Sequence, residues 1–286
     1  MSVDRLMTVN AWLTQITSEL QGVVERPRRE AQLLIMALLQ KDELWLITHE
    51  NETVEEGGKL ASWVARRKEN QPLEYITNRV SFYSQEFHIE EGALIPRPET
   101  ELLIDEVLAF ADREKSLTIV EVGVGSGIIS TVLAQELPKA RIIAIDISPD
   151  ALKVACKNIE AFGLSERIEL RQGDLLEPVS EKIDILVSNP PYIANDELLE
   201  SNLDYEPDLA LFGGEIGDEI IQRLLDETIA RGIPFFACEM GYDQKPKVTE
   251  YLQSTPYKEL KFYKDLAGHD RGFVLKGISK NNKETT

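Results

Sequence analysis

Apolar residues near the start of the chain recur three and four positions apart. Val9, Trp12, Leu13, Ile16 and Leu20 form one stripe, Ala31, Leu34, Ile35 and Leu38 a second, and Leu60, Trp63 and Val64 a third. This spacing predicts amphipathic helices. Stripes of this kind must bury against one another, so residues 1–75 read as a small helical bundle. From Pro72 to Ile95 the pattern changes. Phe82-Tyr83-Ser84-Gln85-Glu86-Phe87-His88-Ile89 mixes aromatic and polar residues as a hairpin or extended linker does, and Pro96-Arg97-Pro98 follows. Residues 76–95 are therefore expected to join two domains.

Beyond this boundary, over residues 96–280, short apolar runs alternate with amphipathic segments. Leu117 to Val122, Arg141 to Ile145, Ile168 to Leu170, Ile183 to Val187 and Phe235 to Glu239 read as strands with helices between them. That alternation predicts an α/β domain with a mostly parallel sheet covered on both faces, Rossmann-like in plan. The helix after Asp146 is well punctuated: Ser148 can cap it, Pro149 suits its first turn and Gly163 suits its exit. Leu260 to Lys264 and Gly272 to Lys276 are joined too closely for a crossover, so they predict an antiparallel pair. The polar residues 279–286 are expected to fray.

Chemistry concentrates at the ends of the expected strands. Glu121-Val122-Gly123-Val124-Gly125-Ser126-Gly127 follows the first, and its glycines permit a tight turn and close approach of a ligand to backbone. A dinucleotide fingerprint needs glycine or alanine one position after Gly127. Ile128 stands there, which favours a compact nucleoside with an amino-acid tail. Asp146 ends the second strand, where a carboxylate can accept from ribose hydroxyls. Asp174, in Gln172-Gly173-Asp174-Leu175-Leu176, follows the third and can accept from an adenine amino group. Alone, GxGxG is often only a turn and Asp146 only a helix cap. Their order along the chain with Asn189-Pro190-Pro191-Tyr192 favours a ligand site. There Asn189 supplies an amide oxygen, the rigid Pro190-Pro191 unit turns a carbonyl toward the same point, and Tyr192 offers a ring to stack on a planar NH2 group.

Composition narrows the partners. The 286 residues are 43% hydrophobic and carry a net charge of -19, which disfavours nonspecific binding to DNA phosphates. No apolar run approaches the ~18 residues of a membrane span, and the N-terminal residues lack the pattern of a signal peptide. Cys156 and Cys238 read as reduced core residues. A cytoplasmic protein with no membrane partner is the expectation. His49, His88 and His269 have no ligand spacing, so no metal is expected. Asn195-Asp196-Glu197 reads as a solvated loop. Arg97 is expected either to orient the ligand's surroundings or to pair with Glu99 or Glu101.

The chain resembles the class I S-adenosylmethionine-dependent methyltransferases, specifically the HemK/PrmC family of protein-glutamine methyltransferases that modify peptide-release factors. The marks are Pro72-Leu73-Glu74-Tyr75-Ile76, Leu94-Ile95-Pro96-Arg97-Pro98-Glu99-Thr100-Glu101, the glycine loop, and Asn189 to Tyr192. Glu206-Pro207, Ala210-Leu211, Gly213-Gly214 and Asp265-Leu266-Ala267-Gly268-His269-Asp270-Arg271 complete the set. Glu121 stands where Asp is usual, Val124 where Thr is usual, and Leu175 where some relatives are aromatic.

The resemblance implies S-adenosyl-L-methionine as cofactor, held by Glu121, Gly123, Val124, Gly125, Ser126, Gly127, Asp146, Asp174, Leu175 and Asn189. It implies class 1 release factors as protein substrates, with the N-terminal helices helping to bind them and no direct nucleic-acid contact. It also implies that the Asn189 oxygen and the Pro190 carbonyl accept the two amide protons of a glutamine in a Gly-Gly-Gln loop, with Tyr192 beside them and Pro191 completing the substrate site. Two rivals remain on sequence alone. An adenine methyltransferase needs the same amine-gripping motif plus base flipping, and a silent cofactor-binding scaffold has no need of Asn189 to Tyr192.

Overall fold

The computed structural model describes residues 6–55, 58–198 and 203–278, so residues 279–286, expected to fray, lie outside the described residues. The chain divides into two compact units, Met1–Arg79 with Leu199–Tyr205, and Val80–Leu198 with Glu206–Thr286.

In the first unit, helices Val9–Leu20, Pro27–Leu39 and Lys59–Lys68 bury the expected stripes, except that Leu38 is only half-buried. Trp12, Leu13, Ile16, Leu34, Ile35, Leu60 and Trp63 meet in one core, where full burial of each Leu or Ile contributes about 1.5–3 kcal/mol. Thr8 caps the first helix by accepting from Ala11 N at 3.2 Å. Arg67 pairs with Glu30 at 2.6 Å and ties two helices together. Two features depart from the expected pattern. Leu6–Thr8 and Thr53–Glu55 form a short antiparallel pair, too brief to show a period of two. Leu73–Thr77 is a helical turn with Tyr75 and Ile76 buried, although a change of pattern was expected from Pro72.

Arg79–Phe82 and Gln85–His88 form a two-stranded hairpin. The second unit is then organised by a seven-stranded sheet. Its strands are β1 (Thr118–Val122), β2 (Arg141–Asp146), β3 (Ile168–Gln172), β4 (Ile185–Ser188), β5 (Phe235–Glu239), β6 (Glu259–Lys264) and β7 (Asp270–Lys276). They lie in the order β3-β2-β1-β4-β5-β7-β6. Neighbours from β3 to β5 are parallel, and β7 runs antiparallel to both β5 and β6. Helices α1 (Thr100–Phe110), α2 (Ile128–Glu136), α3 (Pro149–Ala161), α4 (Glu219–Arg231) and α5 (Lys245–Tyr251) accompany the strands. Val120, Ile143, Leu186, Phe236 and Phe273 form the sheet's share of a core to which α4 adds Ile221, Leu224 and Leu225.

Strands buried on both faces need no polar alternation, which explains why β1, β4 and β5 read as nearly continuous apolar runs. The chain lays down β1, β2 and β3 in one direction, then returns to place β4 on the other side of β1. The switch point therefore lies between β1 and β4, and open α/β sheets bind ligands beyond the strand ends at that place.

Cys238 is buried as expected, but Cys156 is not a core residue. It lies just off the apolar face of α3, whose buried positions include Val154, Ala155 and Ile159, and its thiol donates to Glu160 at 3.3 Å.

Candidate active site

The register of β1 against β4 pairs Val122 with Ser188. The residues after each strand, Gly123 and Asn189, therefore emerge side by side, and a Cβ at Gly123 would lie 3.7 Å from the Asn189 carbonyl. A cavity of about 290 Å³ opens at this edge. Its wall contains Glu121, Gly123, Val124, Gly125, Ser126, Asp146, Asp174, Leu175, Asn189, Pro190 and Pro191, so the structure brings together residues from four separate strand ends. Of the expected site residues, Gly127 and Tyr192 do not line it.

Gly127 instead starts α2, at φ 77°, and a Cβ there would sit 3.0 Å from that of Ala155. Its role is to let the loop turn against α3. Tyr192 is half-buried and packs against the core, with the Glu239 carboxylate close enough to act on it electrostatically. Burial, with Glu239 nearby, pushes its pKa well up.

Three acids line the cavity. Glu121 is buried, and one oxygen accepts from the Ser130 N–H at 2.9 Å and from the Ser130 hydroxyl. Its other oxygen has no hydrogen-bond partner among the described residues. Burial drives its pKa up to about 8. A buried acceptor at a cavity wall calls for a donor, and a cationic amino group would supply one. Asp146 accepts from Gly125 N and Ser148 N, both at 2.9 Å. Burial raises its pKa while these two bonds oppose the rise. Asp146 thus anchors the glycine loop as well as facing the cavity, and Ser148 caps α3 by accepting from Ala151 N at 3.2 Å.

Asp174 departs from the simple expectation. Its carboxylate accepts from Arg223 at 2.6 Å, and Arg223, carried by α4, is itself part of the wall. An adenine amino group would share that carboxylate with a guanidinium. Next to it, Leu175 holds the left-handed φ of 49° that a branched side chain rarely adopts, and its buried side chain lines the cavity.

Asn189 begins a polar relay that no local pattern in the sequence announces. Asn189 Nδ2 donates to Thr100 Oγ1 at 3.2 Å, and Thr100 Oγ1 donates to Glu239 Oε2 at 2.8 Å. Glu239 closes β5 and is buried, and burial lifts its pKa to about 7. Thr100 falls inside the quoted Pro-Arg-Pro-Glu-Thr-Glu run, but nothing local said that its hydroxyl would meet residues on two other strand ends. Arg97 was expected to pair with Glu99 or Glu101 if it did not orient a ligand, but its ion pair is with Glu206 at 2.6 Å. Glu206 also accepts from Ile95 N at 3.0 Å, so a buried carboxylate far along the chain clamps the Ile95 to Arg97 segment. The reason is burial: a carboxylate taken out of water is costly unless it is paired and hydrogen-bonded.

Two further residues fix the Asn189–Tyr192 corner. Gln244, buried at the start of α5, donates to the Tyr192 carbonyl at 3.1 Å and the Gly217 carbonyl at 3.0 Å. At Gly213 a Cβ would meet the Pro191 carbonyl at 2.5 Å, so only glycine admits this approach. Asn195, Asp196 and Glu197 are exposed, as a solvated loop should be. His49 stacks on Trp45, His88 pairs with Glu90 and His269 packs against Tyr242. Among the described residues, no group of three or more His, Cys, Asp or Glu is placed to hold a metal, and no helix is long and apolar enough to cross a membrane.

Comparison with known proteins follows the same lines. Residues 98–203 match the Methyltransferase small domain and residues 11–77 the PrmC N-terminal domain. The chain is 35% identical to the release factor glutamine methyltransferase of Clostridium acetobutylicum over 85% of this chain and 88% of that one. It is 39% identical to that of Koribacter versatilis over 87% and 90%, and 37% identical to that of Dictyoglomus turgidum over 96% and 98%. Among solved structures, the hMettl16 catalytic domain in complex with MAT2A 3'UTR hairpin 6 shares the fold, with a TM-score of 0.55 at 14% identity over 80% of this chain and 87% of that one. The motif-bearing strand ends, the sheet order and whole-length likeness agree: this chain belongs to the release factor glutamine methyltransferase family.

Proposed function

We propose that the chain transfers a methyl group from S-adenosyl-L-methionine to the side-chain amide nitrogen of the glutamine in the Gly-Gly-Gln loop of class 1 peptide-release factors. The observation that carries this reading is the placement of Asn189, Pro190 and Pro191 in the wall of the same cavity as the glycine loop and three acids. Relatives named for this activity span nearly the whole chain, which favours a protein glutamine over a nucleic-acid adenine.

The donor groups of the cofactor suit the acceptors present. The unpartnered Glu121 oxygen would take the ammonium of the amino-acid tail, Asp146 the ribose hydroxyls, and Asp174 with Leu175 the adenine. Gly123, Val124, Gly125 and Ser126 would carry the backbone beneath it, with Gly127 setting the turn and Asn189 at the methyl end. Bound there, the cofactor supplies an electrophilic methyl and its own leaving group, so no nucleophilic side chain is required.

A carboxamide nitrogen is barely basic, because its lone pair is delocalised into the carbonyl. What this chain can do is orient it. Asn189 Oδ1 and the Pro190 carbonyl would accept one amide proton each, aim the nitrogen at the methyl and stabilise positive charge as the bond forms. Orientation of this kind can supply up to about 7–11 kcal/mol of a barrier. Pro191 would bound the amide plane, and Tyr192, packed against the core, would support the corner that carries Asn189. We assign residues 1–75 to docking of the release factor, 76–95 to the connection, and 96–280 to catalysis. Transfer of isotope from labelled cofactor to purified release factor, with DNA as the comparison, tests the reading. Label on the glutamine supports it, and label on DNA alone overturns it.

A further inference from the structure

The relay behind Asn189 has a direction. A hydroxyl has one proton to give. An ionised carboxylate only accepts, so while Glu239 is ionised the Thr100 proton is committed to it at 2.8 Å. Thr100 can then only accept from Asn189, which must present Nδ2, as it does at 3.2 Å. The Asn189 oxygen is thereby turned away from Thr100, and Asn189 lines the cavity. Thr100 is 4% exposed and Glu239 2% exposed, so the bond between them is shielded from bulk water, while the Asn189–Thr100 bond is part-buried at the cavity wall.

We propose that Glu239 is a positioning residue: acting through Thr100, its ionised carboxylate fixes which end of the Asn189 amide faces the substrate. This rests on the glutamine-methylation reading above and goes beyond it. Once Glu239 is protonated on Oε2, the oxygen that meets Thr100, that O–H donates to Thr100, the Thr100 proton swings toward Asn189, and the amide turns to meet it with Oδ1. Nδ2 then faces the substrate NH2 group, donor against donor, and the site no longer orients the nitrogen.

The groups facing Glu239 decide where this happens. They are the Tyr192 hydroxyl after β4, Glu99 before α1, Arg271 on β7, Tyr263 on β6 and the adjacent Cys238 thiol. Burial is the largest influence and raises the pKa to about 7, with the Thr100 bond opposing it, Glu99 adding to the rise and Arg271 countering it. Glu239 is an acid whose ionised form is the productive one. Activity is therefore lost as pH falls through about 7 and is full above it.

The test has two arms. Single-turnover methyl transfer to release factor, at saturating cofactor and from about pH 6 to about pH 8.5, should show this acidic limb in the wild type. E239Q should flatten the limb. T100V, which breaks the relay without changing its bulk, should lower the plateau by about 10- to 100-fold, the range for losing a hydrogen bond to a charged group. T100S should restore both limb and rate, the double variant E239Q/T100V should be no worse than T100V, and cofactor affinity by calorimetry should hold throughout. The second arm needs no substrate: the Asn189 side-chain amide resonances, followed by NMR in the cofactor-bound protein, should titrate with the same midpoint in the wild type and not in E239Q. Should the wild type fail to methylate release factor, the functional reading falls while the NMR arm still decides the relay. An unchanged limb in E239Q, wild-type transfer by T100V, or Asn189 resonances indifferent to pH overturns the proposal.

Discussion

The Asp146 carboxylate holds the glycine loop in place: one oxygen accepts from the Gly125 N–H at 2.9 Å while the other accepts from Ser148 N at the same distance. A residue expected to serve a ribose is thus also the clasp between the end of β2 and the turn after β1. Asp146→Ala should do two things at once. Cofactor affinity should fall by about 10- to 100-fold, the range for lost hydrogen bonds to a charged group, and the cofactor-free protein should melt at lower temperature because two partly buried N–H groups lose their acceptor. Asp146→Asn keeps an acceptor for only one of them and should fall between. Calorimetry and thermal melting check both effects, and an Asp146→Ala protein with wild-type affinity contradicts the assignment.

Glu121 gives the fold a pH dependence. Its pKa is raised from 4.5 to about 8 in the folded state. Between these values the native chain holds more protons than the unfolded one, so stability falls as pH rises through that window, by up to about 1.4 kcal/mol per pH unit. Asp146 and Glu239 shift in the same direction. The cofactor-free protein should therefore be more stable to urea near pH 5.5 than near pH 8.5, and Glu121→Gln should remove a large part of the difference. An identical slope in the variant counts against the buried, ionisable Glu121.

Gln244 bridges two loops that the sequence keeps far apart. Gln244→Ala leaves the Tyr192 and Gly217 carbonyls without their donor, a cost of about 1–3 kcal/mol per buried group. We expect a lower melting temperature together with a lower transfer rate, because the corner carrying Asn189 loses its brace. Gln244→Glu should be as harmful, since a carboxylate cannot donate to either carbonyl. A stability loss with no change in single-turnover rate separates Gln244 from the site.

The strands were legible because both-face burial writes itself as apolar runs, and the cap of α3 because Ser148-Pro149 is a local signal. The glycine loop, Asp146, Asp174 and the Asn189 corner were legible for a related reason: each follows its strand directly, so reading strand ends was enough. Thr100, Glu206, Glu239 and Gln244 were not. Each acts through a partner at least 50 residues away, as in Gln244 to Tyr192 or Thr100 to Glu239, and no local pattern announces a hydrogen bond across that distance. The short pair Leu6–Thr8 with Thr53–Glu55 was missed because three residues carry no measurable period, and Cys156 was misplaced because it lies one position beyond the buried face of α3.

In the proposed function Asn189 orients the glutamine nitrogen and acts only on the chemical step. Single-turnover methyl transfer with saturating cofactor and release factor measures this directly. Asn189→Ala should reduce the rate by orders of magnitude while cofactor affinity stays nearly unchanged, since the lost acceptor matters chiefly as charge develops on the nitrogen. An Asn189→Ala protein that transfers methyl at the wild-type rate would contradict the account, leaving Asn189-Pro190-Pro191-Tyr192 as a turn and nothing more.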